Sequence, residues 1–431
     1  MNNIPFIIGL GKTGLSLAKH LSKLNKTLYI YESYPNEKSL NELKDLDIGY
    51  ILNPEISEKT FNLISRIYVS PGISMEHEIF QYAKKFNIPI KTDMDIYLSN
   101  SKSFKILVTG TNGKTTTVSM LEHLLKGFLK DNSISAMGNI GKPVLDFLDQ
   151  KIDIAIIEIS SFQIEATSVL DSEMGILLNV EEDHIDRHKS FEIYKSLKRR
   201  VLNNSNINIS NLEHKIAGKK FYDFENYFPE HYFLNNPTLE KWPMHDIFNL
   251  KAALVALKLT LQYKKGIETS DVNDFLDKAI GIMASFKKLP HRFEVIENIN
   301  GIIHVNDSKA TNFGATLKSI ESSRNLNKEG DIFLICGGDL KDQELSKKNA
   351  TNFNEIKKCF IYGKDKMILK ELLSNFTDCI CCEDFDSAYS LAKKESESGD
   401  LILLSPACSS TDMFEDYRER GNRFKELMKQ S

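Results

Sequence analysis

The chain has 431 residues, 41% hydrophobic and 26% charged, and its 55 basic and 59 acidic side chains are interspersed to a net charge of −4. That length exceeds one ordinary hydrophobic core and calls for several domains, while the mixed charge offers no basic block to nucleic acid or to a membrane surface. No apolar run approaches the roughly 18 residues of a membrane span, and the opening MNNIPFIIGLGKTG lacks the basic start of a signal peptide. A cytoplasmic protein with neither nucleic-acid nor membrane partners is expected.

Residues 1–92 alternate strand and helix patterns. Strands are expected over 5–8, 27–31, 66–70 and 88–91, with helical spacing of Leu15, Ala18 and Leu21, and of Ile79, Tyr82, Ala83 and Phe86, between them. Such alternation predicts a parallel sheet in an α/β domain. The first turn places Gly9, Gly11 and Gly14 as G-x-G-x-x-G, and Glu32 ends the second strand. Alone, that dinucleotide fingerprint points to an NAD(P)-dependent oxidoreductase. A glycine turn at a helix N-terminus nevertheless accepts any diphosphate. Ser70, Pro71 and Gly72, after the third strand, bring further backbone donors to the same crevice. The ligand here is a diphosphate-bearing molecule of open identity.

The central region, 93–288, opens on TGTNGKTTT at 109–117, between an apolar run (Phe104, Ile106, Leu107, Val108) and a helical pattern. Strand, glycine turn and helix together aim backbone N–H groups at phosphate oxygens. The candidate nucleotide loop is therefore Gly110, Thr111, Asn112, Gly113, Lys114, Thr115 and Thr116. Lys114 supplies a point charge for the outer phosphates, and the Thr115 hydroxyl suits Mg²⁺. Its G-x-x-G-K-T spacing is two residues shorter than the usual form. The apolar run at 152–159 reads as a strand buried on both faces, with Glu158 at its tip, where an acid meets a metal. A strand at 175–180 runs into EEDHIDRH, which brings His184 to the crevice side. The helix expected over 191–202 carries Lys195, Lys198, Arg199 and Arg200, whose spacing alone reads as a solvated face. Helical pattern resumes after Pro243 through Asn249. A further helix over 271–282 is expected to start from a Ser270 or Thr269 cap.

The third region, 289–431, shows strand patterns at 301–306, 331–336, 358–362, 378–382 and 400–404 and a last helix over 415–429, another α/β sheet. Polar clusters NDSKATN, GGDLK and SPACSS sit at strand ends, where open α/β sheets bind ligands. All six cysteines lie in this region, without the histidines or the second C-x-x-C of a metal site. Buried free thiols are expected.

Taken in order, GLGKTG (9–14), SPGI (70–73), GTNGKT (110–115), GNIGKP (138–143), EISSFQ (158–163), NVEEDHIDRH (179–188), LPHRFE (289–294), NDSKATN (306–312), GGDLK (337–341) and SPACSS (405–410) resemble the Mur ligases. These are ATP-dependent amide-bond-forming enzymes of cytoplasmic peptidoglycan synthesis, and the resemblance covers essentially the whole chain. It implies an α/β protein of three domains: N-terminal Rossmann-like (1–92), a central P-loop ATPase-like parallel sheet (93–288), and C-terminal Rossmann-like (289–431). It implies UDP rather than NAD at Gly11, Thr13, Gly14, Glu32, Ser33, Ser70, Pro71 and Gly72, with Asn139 and Ser160 on the muramoyl part. It implies ATP and Mg²⁺ as cofactors, with Lys114, Glu158, His184 and Lys198 catalytic. Thr115 and Glu158 would hold one Mg²⁺ and His184 a second, with Lys198, carbamylated, among the metal groups. Asn249 matches an adenine contact, and Arg292, Asp307 and Lys309 match nucleotide-binding positions. Asp246 stands where the family commonly has asparagine. Thr311, Lys341, Ser410, Thr411 and Tyr417 match a D-glutamate pocket, with Tyr417 where phenylalanine is usual. The implied substrates are UDP-N-acetylmuramoyl-L-alanine and D-glutamate, handled by a monomer. A sibling ligase with another amino acid or acceptor shares the central loop. An oxidoreductase and a non-catalytic nucleotide-binding module are the readings from other classes.

Overall fold

The computed structural model describes residues 4–234, 236–240, 242–268, 271–340 and 351–430. Among these, the strands build three sheets. The first contains β1 (Ile4–Ile8), β2 (Thr27–Tyr31), β3 (Gly49–Leu52), β4 (Ile64–Val69) and β5 (Ile90–Lys91), all parallel in the order β3-β2-β1-β4-β5. β3 had no counterpart in the hydrophobic pattern. It is a four-residue edge strand beginning at a glycine, with no fully buried side chain to mark it.

The second sheet contains β6 (Phe104–Thr109), β7 (Ile134–Gly138), β8 (Ile154–Glu158), β9 (Ser172–Leu177), β10 (Ser205–Ser210) and β11 (Lys220–Asp223). They are parallel in the order β11-β10-β9-β6-β8-β7. β8 is buried at every position, as its apolar run requires. The register sets Val108 of β6 opposite Glu158, so the acid ends level with the turn that follows β6.

The third sheet contains β12 (Glu294–Ile299), β13 (Ile302–Asn306), β14 (Ile332–Gly337), β15 (Lys358–Tyr362), β16 (Asp378–Cys381) and β17 (Leu401–Leu404), in the order β12-β13-β17-β14-β15-β16. It is an α/β sheet as expected, and mixed: at one edge β12 runs antiparallel to β13. The connecting Asn300-Gly301 takes φ of 55° and 84°, the left-handed pair that a two-residue hairpin needs.

The helix Val272–Met283 is capped by Asp271, whose side chain accepts from the backbone N–H groups of Asn273 and Asp274. Thr269 and Ser270, the expected caps, lie outside the described residues. No described helix is long and apolar enough to cross a membrane.

The chain packs as two compact units. One runs to Val180 and takes in Glu192–Glu230 and Asn249–Ala284; the other holds Glu181–Phe191, His231–Phe248 and the chain from Ser285 onward. The first unit contains the first two sheets around a continuous core, in which Leu17, Leu21 and Leu28 join Met94, Tyr97, Leu145 and Ile157. The second packs apolar layers around the third sheet, one of them including Cys336, Cys359, Cys379 and Cys408. All six cysteines are free thiols, and all but Cys381 are buried.

Asp93 begins the helix Asp93–Asn100 that links the first two sheets, and it is buried with Oδ1 unpartnered. Burial, with a smaller push from the Asp95 charge, raises its carboxyl to about 7. A carboxyl raised on folding stabilises the fold in acid, and that contribution is lost as pH climbs from the ordinary carboxylate range through about 7. In thermal melts, Asp93→Asn should remove this loss and flatten the decline between about pH 4 and pH 7. Equal slopes in variant and wild type would contradict it.

Candidate active site

In the first sheet the strand order reverses between β1 and β4, and ligands bind beyond the strand ends at such a point. Both expected turns lie there. Ser70 joins them: its Oγ donates to the Gly9 carbonyl at 3.0 Å and its N–H to the Ile8 carbonyl at 2.9 Å. A Cβ on Gly14 would fall 1.8 Å from the Gly9 carbonyl oxygen, so the third glycine is a packing requirement. The helix Lys12–Ser22 begins from Gly11 without a side-chain cap, which leaves first-turn N–H groups for an anion. Thr13 is half-buried in that turn, and Gly11, Ser33 and Gly72 are exposed. The Glu32 carboxylate accepts from the backbone N–H of Leu10 at 2.6 Å and of Tyr34 at 3.0 Å. It holds the glycine turn in shape.

In the second sheet the loop between β6 and the helix Lys114–Phe128 is fastened from three sides. Gly113 has φ 85°, and a Cβ there would lie 2.2 Å from Asn249 Oδ1, so glycine is needed twice over. Asn179 brackets the loop: its Oδ1 accepts from Asn112 N–H at 2.9 Å, its Nδ2 donates to the Asn112 carbonyl at 3.1 Å, and its own carbonyl accepts from Thr111 N–H at 2.9 Å. Buried Asn249 accepts from Thr117 Oγ1 at 3.4 Å. Lys114 Nζ donates to the carbonyls of Gly110 and Thr111 at 2.8 and 2.9 Å. Lys198 Nζ also donates to the Gly110 carbonyl, at 2.8 Å, and lies 4.6 Å from the centre of the Tyr194 ring. Tyr194 OH in turn stands 3.1 Å from Thr111 Oγ1.

The solvated-face reading of this helix is thereby corrected for Lys198, which is 1% exposed. Along Phe191–Asn203 the buried stripe is Tyr194, Lys198, Val201 and Leu202, so Lys198 falls one turn after a core tyrosine. Arg200 also turns inward, donating to the carbonyls of Ile164 and Thr167 at 2.7 Å.

Glu158 is 2% exposed at the tip of β8. Its Oε1 accepts from Asn139 Nδ2 at 2.7 Å, and its Oε2 has no hydrogen-bond partner. A buried carboxylate oxygen left bare is costly unless a cation meets it. Ser160, two residues on, caps the helix Ser161–Ala166 through a reciprocal pair with Gln163. Thr115 and Thr116 are half-buried in the first turn after the loop.

His184 belongs to the second unit. It precedes the short turn Ile185–His188 with φ 56°, and its Nε2 is 3.7 Å from Asp183 Oδ2. In the same unit β13, β17 and β14 are neighbours, so the three polar clusters at their ends meet. Ala407 N–H donates to the Ala310 carbonyl at 3.0 Å, and Gly337 N–H to the Pro406 carbonyl at 2.9 Å. Asp307 accepts from Phe293 N–H at 3.1 Å and from the Ser319 hydroxyl; burial raises its carboxyl above the usual range, opposed by the Ser319 bond. Lys309 Nζ lies 4.5 Å from the centre of the Tyr417 ring. The tyrosine thus offers its face to a cation as phenylalanine would. Arg292 and Thr311 are half-buried, Ser410 is buried and Thr411 is exposed. Lys341 lies outside the described residues. Asp246 Oδ2 pairs with Lys288 Nζ at 2.7 Å, an ion pair that asparagine could not form.

Family models match the chain in three places: the MurD-like N-terminal domain of Mur ligases over residues 4–92, the Mur ligase middle domain over 108–256, and the Mur ligase glutamate ligase domain over 291–408. The UDP-N-acetylmuramoylalanine--D-glutamate ligase of Marinobacter nauticus is 31% identical, over 98% of this chain and 97% of that protein. The enzyme of that name from Rickettsia bellii is 32% identical, over 97% and 95%. The chain belongs to the Mur ligase family.

Solved Mur ligases share the fold. The MurC ligase of Thermotoga maritima superposes with a TM-score of 0.57 at 17% identity, over 99% of both chains. The MurF ligase of the same organism, in complex with ADP, gives 0.59 at 16% identity, over 98% of both.

One residue that organises this Mur ligase's C-terminal edge had no counterpart in the sequence reading. Arg420 is fully buried in the helix Tyr417–Lys429. It donates to the Ser308 carbonyl at 2.8 Å, the Ser308 hydroxyl at 3.0 Å and the Cys408 carbonyl at 3.2 Å, tying the ends of β13 and β17 together. Its run YRERGNRF reads as solvated. The one hint is Gly421, where a Cβ would lie 2.3 Å from His291 Nδ1. Arg420→Met should destabilise the C-terminal sheet by about 3 kcal/mol in denaturant unfolding, because it strands buried acceptors. An unchanged midpoint would rule that role out.

Proposed function

We propose that this chain is the ATP-dependent ligase that joins D-glutamate to UDP-N-acetylmuramoyl-L-alanine in peptidoglycan precursor synthesis. The relatives that carry this activity in their names align over nearly its full length. The observation that carries the chemistry is the buried Glu158 with one bare oxygen, level with a glycine loop on which two lysines converge. The reading assigns residues 1–92 to the UDP substrate, 93–288 to ATP and 289–431 to the amino acid, in a cytoplasmic monomer.

A carboxylate is too poor an electrophile to condense with an amine at neutral pH. An oxygen of the alanyl carboxylate attacks the γ-phosphorus of ATP, ADP leaves, and an acyl phosphate forms. The D-glutamate amine then attacks the carbonyl carbon, loses a proton, and phosphate departs. The loop N–H groups and Lys114 stabilise charge growing on the γ-phosphoryl oxygens. Keeping water from the acyl phosphate requires the site to close around it.

Thr115 and Glu158, whose Oε2 is bare, offer oxygen donors that fit one Mg²⁺; His184 would serve a second, and a carbamylated Lys198 would add a further anionic oxygen group. Mg²⁺ bound there would offset phosphate charge. Two ammonium groups that share the Gly110 carbonyl repel each other. Carbamylation of Lys198, in which its neutral amine takes up CO₂ and releases a proton, converts one of them into an anion.

The turn residues Gly11, Thr13 and Gly14, with Ser70, Pro71 and Gly72, take the diphosphate; Glu32 and Ser33 flank the ribose and base. Asn139 and Ser160 face the muramoyl part. Asn249 takes the adenine, and Arg292, Asp307 and Lys309 the rest of the nucleotide. Thr311, Lys341, Ser410, Thr411 and Tyr417 receive D-glutamate, whose two carboxylates call for hydroxyl and ammonium donors.

Phosphate release from ATP decides the matter. It should require UDP-N-acetylmuramoyl-L-alanine together with D-glutamate, and L-glutamate should not substitute. Lys114→Ala should lower turnover by about a thousandfold while binding of the UDP substrate persists. Turnover with L-glutamate alone, or an undiminished rate in that variant, would contradict the proposal.

A further inference from the structure

The second compact unit includes Glu181–Phe191, the stretch of chain that carries His184. His184 has a left-handed backbone and stands before a turn of only four residues, too short to hold itself in place. Of the three acids that precede it, Glu181 and Asp183 both end at the start of the helix Phe313–Leu326.

Three observations converge there. Asn312, the helix N-cap, accepts from Ala315 N–H at 2.9 Å and donates Nδ2 to Asp183 Oδ2 at 3.2 Å. Lys318, little more than a turn along, sets its Nζ 2.5 Å from Glu181 Oε1. Between them lies Gly314, where a Cβ would come within 2.5 Å of Glu181 Oε2. The Glu181 carboxylate therefore rests on the first helical turn, closer than any side chain there would permit. That turn contains no acidic residue, and the positive end of the helix dipole favours a negative charge there.

A solvated Lys–Glu pair contributes little stability, about 0–1 kcal/mol. Glu181 and Lys318 are each about one-third exposed, so a stabilising role explains little of this arrangement. What it fixes is position. We propose that the N-terminal turn of the helix Phe313–Leu326 is a clamp for the acidic segment ahead of His184, with Glu181, Gly314 and Lys318 acting as positioning residues for the ligase reaction. The clamp rests on the role assigned above to His184; none of the three residues touches the reacting atoms.

The test uses the full-length chain and two readouts. Hydrogen exchange across residues 181–188, followed by mass spectrometry, should quicken in Lys318→Met and stay at the wild-type rate in Lys318→Arg. Phosphate release in Lys318→Met and in Gly314→Ala should show kcat lowered about tenfold. The Mg²⁺ concentration for half-maximal rate should rise, with KM for the UDP substrate unchanged. Glu181→Gln combined with Lys318→Met should be no worse than either alone, because both remove one interaction. Unchanged exchange in Lys318→Met overturns the clamp. So does a lower melting temperature with kcat and Mg²⁺ dependence intact, which is the signature of a merely structural pair. Faster exchange in a chain that releases no phosphate with either glutamate would uphold the clamp and defeat the functional proposal instead.

Discussion

Two ammonium groups end on the carbonyl oxygen of Gly110. At the separation that sharing one oxygen enforces, on the order of 5 Å, their repulsion is about 3 kcal/mol at an effective dielectric constant of about 20. The surrounding chain is built to sustain that crowding: Asn179 brackets the loop, Tyr194 lies against Lys198, and Gly113 gives way to Asn249. An anionic group at Lys198 relieves that repulsion, which is what the proposed carbamylation supplies, and it leaves Lys114 to meet a phosphate. With Glu158 at the neighbouring strand tip, the same few ångströms combine a phosphate cradle and a bare carboxylate oxygen.

The N-terminal sheet repeats the device with one part missing. Gly9 to Gly14 again links a first strand to a helix without a side-chain cap, and Ser70 braces it as Asn179 braces the other. The lysine that follows its second glycine, Lys12, is exposed, and the nearby acid Glu32 is spent on backbone N–H groups. A turn so equipped can hold a diphosphate but has little with which to stabilise phosphoryl transfer. Under the proposed function, binding and chemistry divide between two uses of the same strand–turn–helix unit.

How much of this was legible in the sequence depends on what each residue's neighbours are. Glycine turns and doubly buried strands announce themselves, and β2, β8 and β15 fall within two residues of where apolar pattern placed them. Polar strands near a sheet edge do not: β10 reads SNINIS, and only pairing with β9 and β11 makes it a strand. The hairpin into β12 carried its signal in Asn300-Gly301, a dipeptide with a known backbone preference. Lys198 and Arg420 show the harder limit. Local sequence makes each a cation among cations on a solvated helix face, and only the partner surface, absent from local sequence, turns that face inward. For Lys198 the family resemblance gave a reason, absent from its spacing, to look beyond a solvated face; for Arg420 nothing did.

The central claim is that the γ-phosphoryl group passes to the alanyl carboxylate, so that carboxylate must lose an oxygen to phosphate. UDP-N-acetylmuramoyl-L-alanine with isotopically heavy oxygen in that carboxylate tests this directly, by the mass of the phosphate released during turnover with ATP and D-glutamate. Each phosphate should carry one heavy oxygen. Unlabelled phosphate, with product still formed, would mean that the carboxylate is not activated in this way.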